Sequence, residues 1–245
     1  MDAEEALQMV RPGDLLLFSG TDFVSKTIRG LQSEQLGLPD DGRRVFSHCG
    51  VVLNGRTVLD LLNVEDPDEP LVYESTATGR WIDRTVDVES GSGVFGVQMR
   101  RLRDALRTYD GVVAWCRLRQ NPLDRRADEN EDAYLARTEA IAARLTDLHH
   151  RLYHRGYDFS PVALLAALFP SLRSLRGVGP SFGGEDRKFC SELAALVYQE
   201  MGVLSPTLDS ESVVPMDYMG FDRDTHGVPA GLFDDPIRLL VPPPA

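Results

Sequence analysis

The segment Arg187–Met201, RKFCSELAALVYQEM, decides the fold, because it joins a cysteine to the start of an amphipathic helix. Apolar residues recur behind Cys190 at the spacing of one helix face: Leu193, Leu196 and Val197. Gly202 is a natural helix stop. Cys190 is therefore predicted to lie at a helix N-terminus, where unpaired N–H groups and the helix dipole favour an anion.

A thiol at a helix start is a candidate nucleophile. The position lowers the pKa of a cysteine below its free value of about 8.5 and favours the reactive thiolate. An arbitrary cysteine is more often a small packing residue in the core. Here the catalytic interpretation gains weight from a histidine, His48, that lies far upstream in an equally specific context.

Composition sets the broad class of the protein. The chain has 245 residues and 42% hydrophobic content, which suffices for one well-packed domain over residues 1–245. Lys and Arg number 26 against 38 acidic residues, and the net charge of −12 argues against nucleic acid or an anionic membrane as a general partner. The acidic N-terminus does not resemble a signal peptide, and no apolar run approaches the ~20 residues of a membrane span. These features predict a cytoplasmic location.

Cysteine usage points to the same compartment. The three cysteines, Cys49, Cys116 and Cys190, are odd in number and widely spaced, as expected for free thiols in a reducing compartment. The sequence contains no CxxC pair of the kind that would indicate a zinc site. It also contains no P-loop and no GxGxxG motif after a strand, so no organic cofactor is expected.

Strand signals dominate the first half of the chain. Short apolar runs occur at hairpin-like spacings: Leu15–Phe18, Val45–Leu53, Arg56–Leu62, Leu71–Glu74, Val94–Met99 and Gly111–Leu118. Asn54-Gly55 separates the second run from the third and predicts a two-residue hairpin. The expected product is an antiparallel sheet or a small barrel.

Helical signals dominate the second half. Glu131–Arg155 is the longest helical pattern, and Pro161–Phe169 is a nearly all-apolar helical segment followed by a loop rich in glycine and serine. A last strand is predicted over Ile237–Val241. Strands followed by helices predict a single α+β domain.

Five histidines are candidates for a base or a metal ligand. His149, His150 and His154 fall on the predicted polar side of the long helix, and the last two have the i, i+4 spacing of a metal pair. No carboxylate supplies an obvious third ligand, so a solvated face is expected there. His226 has no motif around it. His48 differs, because it interrupts the apolar strand VFSHCGVVL.

A glutamate interrupts another apolar strand. Glu74 ends the run LVYE, and an ionised carboxylate in a buried strand needs a partner. If the two strands are neighbours, Glu74 can orient the His48 ring while Cys190 approaches from the helix packed on the sheet. Cys49 follows the histidine directly. Because neighbours on a strand point to opposite faces, Cys49 is expected to face away from His48 and to serve in packing.

The order of these residues resembles the permuted papain-like enzymes of the NlpC superfamily, and the YiiX-like and YaeF-like amidases in particular. The matching pieces occur in the order of the family and span most of the chain. They are PGDLLLF (Pro12–Phe18), FSHCGVVL (Phe46–Leu53), VYES (Val72–Ser75), GYDF (Gly156–Phe159), FCSEL (Phe189–Leu193) and the Pro215-Met216-Asp217 element.

The resemblance implies a papain-like α+β fold, circularly permuted so that the histidine precedes the cysteine. It also implies Cys190 as the nucleophile, His48 as the base and Glu74 as the orienting residue. Tyr157 matches a tyrosine that lines the family's site or assists its oxyanion. Geometry alone suggests the Cys190 N–H as an oxyanion donor. Residues 160–188 look longer than the matching region of compact relatives. They are interpreted either as a core helix plus a surface loop, or as a lid or acyl-binding wall.

Four functional hypotheses follow. The first is a cysteine hydrolase that cleaves an amide or isopeptide bond through a thioester. The second is acyl transfer or lipid deacylation of the lecithin retinol acyltransferase type, which the apolar Pro161–Phe169 segment would suit. The third is a non-catalytic binding module on the same fold, and the fourth is a metal enzyme built on the histidine cluster. The sequence leaves the substrate and the oligomeric state open.

Overall fold

The computed structural model describes residues 1–21, 23–37, 45–61, 63–76, 86–94, 96–153, 155–157, 187–219 and 227–240. These residues form an α+β structure built on one antiparallel sheet. Predicted features that fall on residues 158–186, including the apolar segment Pro161–Phe169 and nearly all of the proposed insertion, lie outside the described residues.

Six strands form an open sheet in the order β4-β3-β2-β1-β5-β8, and each neighbouring pair is antiparallel. Of the two architectures expected, the chain therefore adopts the sheet and not the closed barrel. The strands are β1 (Leu15–Gly20), β2 (His48–Leu53), β3 (Leu71–Thr76), β4 (Gly96–Arg101), β5 (Gly111–Cys116) and β8 (Ile237–Leu239).

Five helices and a short parallel strand pair complete the described structure. The helices are α1 (Ala3–Met9), α2 (Phe23–Leu36), α3 (Leu102–Thr108), α4 (Glu131–Leu152) and α5 (Cys190–Glu200). The strand pair is β6 (Gly156–Tyr157) with β7 (Arg187–Lys188), and two 3₁₀ turns cover Ser210–Ser212 and Pro215–Met219. Within the described ranges, no helix is long and apolar enough to cross a membrane.

Helices cover both faces of the sheet. On one face, α4 and α5 pack in the core that contains Leu17, Cys49 and Cys190. On the other face, α1 and α3 pack against Leu16 and Phe18. Burial on both faces explains why β1 is a continuous apolar run without alternation.

The turn before β1 ties the sheet to α5. Gly13 has a φ of 94°, in the left-handed region that glycine tolerates, and its carbonyl accepts the Tyr198 hydroxyl at 3.1 Å. The buried Asp14 carboxylate accepts the Trp115 indole N–H at 2.9 Å and the Leu118 N–H at 3.0 Å. The PGD motif is thus a structural anchor that fixes β1, β5 and α5 relative to one another.

The predicted hairpin at Asn54-Gly55 is wrong. A type I′ turn needs positive φ at both central residues, and in the described chain neither of these residues has it. The Asn54 side chain instead accepts the Thr57 N–H at 3.1 Å, and residues 56–61 form turns where the strand Arg56–Leu62 was expected. Leu53 pairs with Leu71, so the true partner of β2 is the later strand β3.

Most other predicted elements are present with shifted ends. β1, β3, β4, β5 and β8 occur where strand signals were found, and α4 and α5 occur where helices were expected. The sequence interpretation missed α3, which begins directly where β4 ends. Its apolar face, formed by Leu102, Ala105 and Leu106, is too short for a clear helical period.

Candidate active site

Cys190 is the first residue of α5, and the residues around it hold the helix start in place. The Glu192 carboxylate accepts the Phe189 N–H at 3.4 Å, which is one half of a capping box. The Ser191 hydroxyl donates to the Val213 carbonyl at 2.7 Å, and the Tyr218 hydroxyl donates to the Ser191 carbonyl at 3.0 Å. The FCSEL motif therefore combines the candidate nucleophile with the residues that fix it.

His48 is the first residue of β2, and two neighbours fix its position. Its ring lies 5.3 Å from the Phe18 ring, and its side chain is 16% exposed. Two residues earlier, the Phe46 N–H donates to the Met216 sulfur at 3.3 Å, so the Pro215–Met219 turn holds the chain that leads into β2. This contact gives a structural role to the Pro215-Met216-Asp217 element.

The imidazole of His48 lies between a carboxylate and a thiol. Its Nε2 is 2.7 Å from Glu74 Oε2, and the interaction with Cys190 raises the pKa of the ring. Because Nε2 is used by Glu74, Nδ1 is the nitrogen left for the thiol. The structure thus brings together the three residues selected from the sequence, in the order Cys190, His48, Glu74.

Two further side chains hold Glu74. Arg100 Nε lies 2.6 Å from Glu74 Oε1, and the Gln98 amide donates to the same oxygen at 3.2 Å. Glu74 is paired with Gln98, and Val72 with Arg100, across β3 and β4, which places all four side chains on one face of the sheet. The carboxylate therefore has a countercharge on one oxygen and the imidazole on the other.

Gly50 makes room for the Val72 and Glu74 side chains of the neighbouring strand. A Cβ at Gly50 would lie 2.6 Å from Val72 Cγ2 and 3.3 Å from Glu74 Cβ. Strand β2 therefore has a glycine where β3 places Glu74, two residues after His48. The glycine of the SHCG motif is explained by packing against the glutamate.

The electrostatics of the site favour a charged thiol and a charged ring. A hydrogen bond from Cys49 and the His48 charge outweigh burial and hold the pKa of Cys190 well below its ordinary range. Burial opposes protonation of His48, but the Cys190 and Glu74 charges and hydrogen bonds raise its pKa to about 10. Both shifts describe one coupled pair, a thiolate beside an imidazolium at neutral pH.

Glu74 remains ionised in spite of its burial. Burial alone raises the pKa of a carboxyl group, but Arg100, His48 and Gln98 together lower the pKa of Glu74 to about 2. A permanent negative charge at this position fixes the orientation of the His48 ring and stabilises its charged form.

Cys49 has a closer relation to the site than the sequence interpretation gave it. Strand alternation holds, because Cys49 pairs with Leu17 on the α5 face and His48 pairs with Phe18. Both thiols are buried in the core beneath α5, and the interaction with Cys49 is the largest of the influences that lower the pKa of Cys190. Cys49 therefore packs in the core as expected and also contributes to the electrostatics of the site.

The remaining histidines and Tyr157 lie elsewhere or outside the description. His150 is exposed on α4 as expected, whereas His149 is 1% exposed and packs 5.4 Å from the Tyr73 ring, so the expectation of a solvated face is wrong there. His154 and His226 lie outside the described residues. Tyr157 belongs to β6 and pairs with Lys188 near the start of α5, but its side chain lies outside the described residues.

The sequence interpretation missed Arg100 and Gln98. The signal was present, since VQMRR alternates polar and apolar residues in a strand that follows the glutamate strand. A buried glutamate that needs a countercharge directs attention to an arginine two residues from a glutamine on the adjacent strand. In the described ranges, no group of three or more His, Cys, Asp or Glu side chains is arranged to hold a metal ion.

Comparisons with known proteins give a structural likeness and no sequence match. The chain matches no protein-family model and no curated protein. Among solved structures it is similar to metalloprotein YiiX of Escherichia coli O157:H7, DUF1105, with a TM-score of 0.39 and 18% identity. The likeness covers 78% of this chain and 66% of that chain, so the chain spans just under two thirds of that protein's length.

Proposed function

We propose that this protein is a cysteine hydrolase that cleaves an amide or isopeptide bond through a thioester acyl-enzyme, on a circularly permuted papain-like fold. The observation that carries the proposal is the contact of His48 Nε2 with Glu74, which is itself paired to Arg100, together with the opposite pKa shifts that His48 and Cys190 cause in each other. A nucleophile, a base and a group that orients the base are the minimum set for this chemistry.

The proposed reaction begins with the thiolate. Cys190 Sγ attacks the carbonyl carbon of the substrate, and the N–H groups at the start of α5 face the oxygen that becomes negative. The His48 imidazolium gives its proton to the departing amine nitrogen, which leaves an acyl thioester on Cys190. Neutral His48 then accepts a proton from the water that attacks the thioester, and release of the acid restores the ion pair.

Glu74 and Arg100 act through the imidazole. Glu74 fixes the ring so that Nδ1 faces the thiol, and Arg100 keeps Glu74 ionised. Neither side chain needs to touch the substrate, so both are positioning residues. Their burial away from water strengthens these interactions.

The test uses p-nitrophenyl acetate and p-nitroanilides of acetylated amino acids as probes. The expected result is a burst of p-nitrophenolate with an acetyl group on Cys190 in peptide maps, followed by slow turnover. Cys190→Ala should remove the burst and lower turnover on the order of 10³-fold or more. Cys116→Ala is the matched control, because it removes another buried thiol of the same core.

Each alternative has a distinct outcome. Transfer of the acetyl group to an added alcohol or amine in preference to water would favour the acyltransferase hypothesis. Full activity of Cys190→Ala, or a Cys190 of ordinary reactivity that takes up no acetyl group, would overturn the hydrolase and leave a binding module. The segment Pro161–Phe169 that motivated the acyltransferase lies outside the described residues.

A further inference from the structure

A short segment after α5, residues 213–219, contacts both elements of the candidate site. On the side of α5, the Val213 carbonyl accepts the Ser191 hydroxyl at 2.7 Å, and the Tyr218 hydroxyl donates to the Ser191 carbonyl at 3.0 Å. Ser191 directly follows Cys190 in the first turn of the helix. The segment therefore holds that turn through both the side chain and the backbone of one residue.

The other side of the segment contacts the chain that leads into β2. The Phe46 N–H donates to the Met216 sulfur at 3.3 Å, and Phe46 is buried. A buried N–H needs an acceptor, and a thioether sulfur can serve as a weak one. Strand β2 begins at His48, two residues later, so the position of Met216 influences the position of the imidazole.

Internal hydrogen bonds keep the two sides of the segment at a fixed separation. The Asp217 carboxylate accepts the Val214 N–H at 2.7 Å, and the Asp217 N–H donates to the Val214 carbonyl at 3.0 Å. Pro215 lies between these residues, and its ring fixes one backbone angle of the turn. Residues 213–218 are all buried. The segment is therefore a closed turn that moves as one unit.

Apolar packing of α5 on β2 does not by itself fix how these two elements are aligned. The two elements are in contact, but the hydrophobic effect is non-directional, so a helix can slide or rotate on a sheet with little change in buried area. Hydrogen bonds are directional, and they weaken steeply when their angles are distorted. The bonds made by residues 213–219 therefore select one alignment of the α5 start with the entry to β2.

We propose that residues 213–219 form a clamp that sets the position of Cys190 relative to His48, and that Tyr218 and Met216 are its positioning residues. The proposal rests on the proposed function, because Cys190 and His48 are the nucleophile and the base of that reaction. Neither Tyr218 nor Met216 needs to touch the substrate. Since a misplacement of about 1 Å can cost on the order of 10²-fold in rate, loss of one clamp contact should change the chemistry of the site.

Tyr198 provides a matched control for Tyr218. Both side chains are buried, their rings lie 6.0 Å apart, and each hydroxyl donates to a backbone carbonyl. Tyr198 donates to Gly13 before β1 at 3.1 Å, whereas Tyr218 donates to Ser191. Burial raises the pKa of both phenols well above the ordinary range, so neither ionises near neutral pH. Replacement of either tyrosine by phenylalanine therefore removes one hydroxyl and one hydrogen bond.

The experiment compares the wild type with Tyr218→Phe and with its control Tyr198→Phe. A second pair of variants tests the β2 side of the clamp. Met216→Leu removes the sulfur acceptor at similar side-chain volume, and Met201→Leu is its control, because Met201 is another buried methionine of the same core.

Three measurements are made on each variant. Amide hydrogen exchange followed by NMR reports the opening of the Phe46 N–H, and the pH profile of iodoacetamide alkylation reports the inflection of Cys190. Hydrolysis of p-nitroanilides gives kcat and KM separately. The exchange measurement depends neither on turnover nor on the charge of the thiol, so failure of the hydrolase and failure of the clamp are distinguishable.

Tyr218→Phe should change the opposite side of the clamp. The Phe46 N–H should exchange about tenfold faster, and the alkylation inflection of Cys190 should rise towards about 8.5. The kcat should fall about 10–100-fold with little change in KM, because alignment is lost while contacts with the substrate remain. Met216→Leu should also raise the Cys190 inflection, although it contacts only the β2 side. The two control variants should keep the wild-type values.

The clamp is overturned if Tyr218→Phe leaves the exchange of the Phe46 N–H unchanged, or if Tyr198→Phe accelerates it equally. Faster exchange in Tyr218→Phe with an unchanged perturbed inflection of Cys190 would make the segment structural only and overturn the positioning roles. A wild-type inflection near 8.5 would remove the hydrolase, and the exchange of the Phe46 N–H would then decide the clamp by itself.

Discussion

Arg100 Nε lies 2.6 Å from Glu74 Oε1, and the two side chains are 5% and 0% exposed. An ionised carboxylate at that depth is costly unless its charge is compensated. Arg100 supplies the compensating charge from the adjacent strand, while His48 occupies the other carboxylate oxygen. The Arg100–Glu74 ion pair therefore keeps Glu74 ionised and in position to orient the His48 imidazole beside the Cys190 thiol.

Removal of Arg100 should lower the free energy of unfolding and alter the surroundings of the Cys190 thiol. Arg100→Met removes the arginine countercharge of a buried carboxylate and leaves only the His48 ring beside it, and the expected loss of unfolding free energy is about 3–5 kcal/mol, measured by urea denaturation. The pKa of Glu74 should rise at the same time.

The neighbouring residue gives a matched control. Arg101 pairs with Glu69 at a partly exposed position, so Arg101→Met should cost only about 0–1 kcal/mol. In the double variant Arg100→Met/Glu74→Gln, removal of the orphaned charge should restore part of the lost stability. Equal effects of Arg100→Met and Arg101→Met would contradict the assigned role of the buried pair.

Alkylation of Cys190 by iodoacetamide should report the thiolate–imidazolium pair. Because the pKa of Cys190 lies well below its ordinary range and that of His48 is raised to about 10, the wild-type rate should reach its plateau below neutral pH. It should change again only as His48 loses its proton near pH 10. His48→Ala should move the first inflection to higher pH, and peptide maps assign the label to Cys190.

Glu74→Gln should give an intermediate profile. The amide retains a hydrogen bond to His48 but not the negative charge, so the imidazolium is less stable and the upper inflection should fall below pH 10. The native cysteines are kept in all variants, because Cys49 contributes to the pKa of Cys190. A wild-type inflection near 8.5 that ignores both substitutions would show that no such pair exists in the free protein.

The sequence contained the main outline of the sheet and of the site. Cys190, His48 and Glu74 were identifiable because each interrupts or begins an element whose apolar pattern is strong. Burial of a histidine or a glutamate in a strand costs free energy unless the side chain has a polar partner, and this requirement predicts that β2 and β3 are neighbours, as they are. Local physical chemistry was sufficient there, because the unusual residues lie in otherwise regular elements.

Strand partners and core neighbours that depend on tertiary packing cannot be predicted from the pattern of apolar and polar residues in the sequence. Asn54-Gly55 carries the strongest hairpin signal in the chain, yet Leu53 pairs with Leu71 because the turn uses the Asn54 side chain in place of type I′ geometry. Cys49 was assigned to packing because strand alternation fixes the face of a residue but not what packs on that face. The packing of α5 on β2 decides that Cys49 influences the pKa of Cys190.

Gly50 should not tolerate a side chain. In Gly50→Ala the new Cβ would lie 2.6 Å from Val72 Cγ2 and 3.3 Å from Glu74 Cβ, so β3 or the Glu74 side chain must shift. We expect a loss of about 1–3 kcal/mol in unfolding free energy and a higher alkylation inflection for Cys190, because the hydrogen bond that Glu74 accepts from His48 Nε2 is displaced. Urea denaturation and the pH profile measure the two effects.

A glycine in open space provides the comparison for Gly50→Ala. Gly30 lies within α2, and nothing lies within 4 Å of a Cβ placed there, so Gly30→Ala should stabilise the protein by about 0.5–1 kcal/mol. Its alkylation profile should equal that of the wild type. If Gly50→Ala keeps both the stability and the wild-type inflection, the glycine is not required by the packing of Glu74.

His149 is a buried polar group that the proposed chemistry does not use. It is 1% exposed, and in the described structure neither ring nitrogen has a hydrogen-bond partner. The groups that face it are the Glu89 carboxylate, 3.4 Å from Nε2, the Asp87 carboxylate farther away, and the rings of Tyr73, His150 and Tyr153. Burial outweighs the attraction of Glu89 and lowers the pKa of His149 below 6.5.

The lowered pKa makes the stability of the protein sensitive to acid. In the unfolded chain His149 binds a proton below about pH 6.5, whereas the folded protein resists that proton until a lower pH. The contribution to stability is therefore complete above pH 6.5 and is lost as the pH falls from 6.5 towards the folded pKa.

His149→Phe keeps a ring of similar size beside Tyr73 and removes the titrating group, so its unfolding free energy should fall less steeply than that of the wild type between pH 7 and about pH 5. His150→Phe, one residue along α4 at an exposed position, is the control and should keep the wild-type slope. Urea denaturation at four pH values measures the slopes. Equal slopes for the wild type and His149→Phe would mean that His149 is as easily protonated in the folded protein as in the unfolded chain.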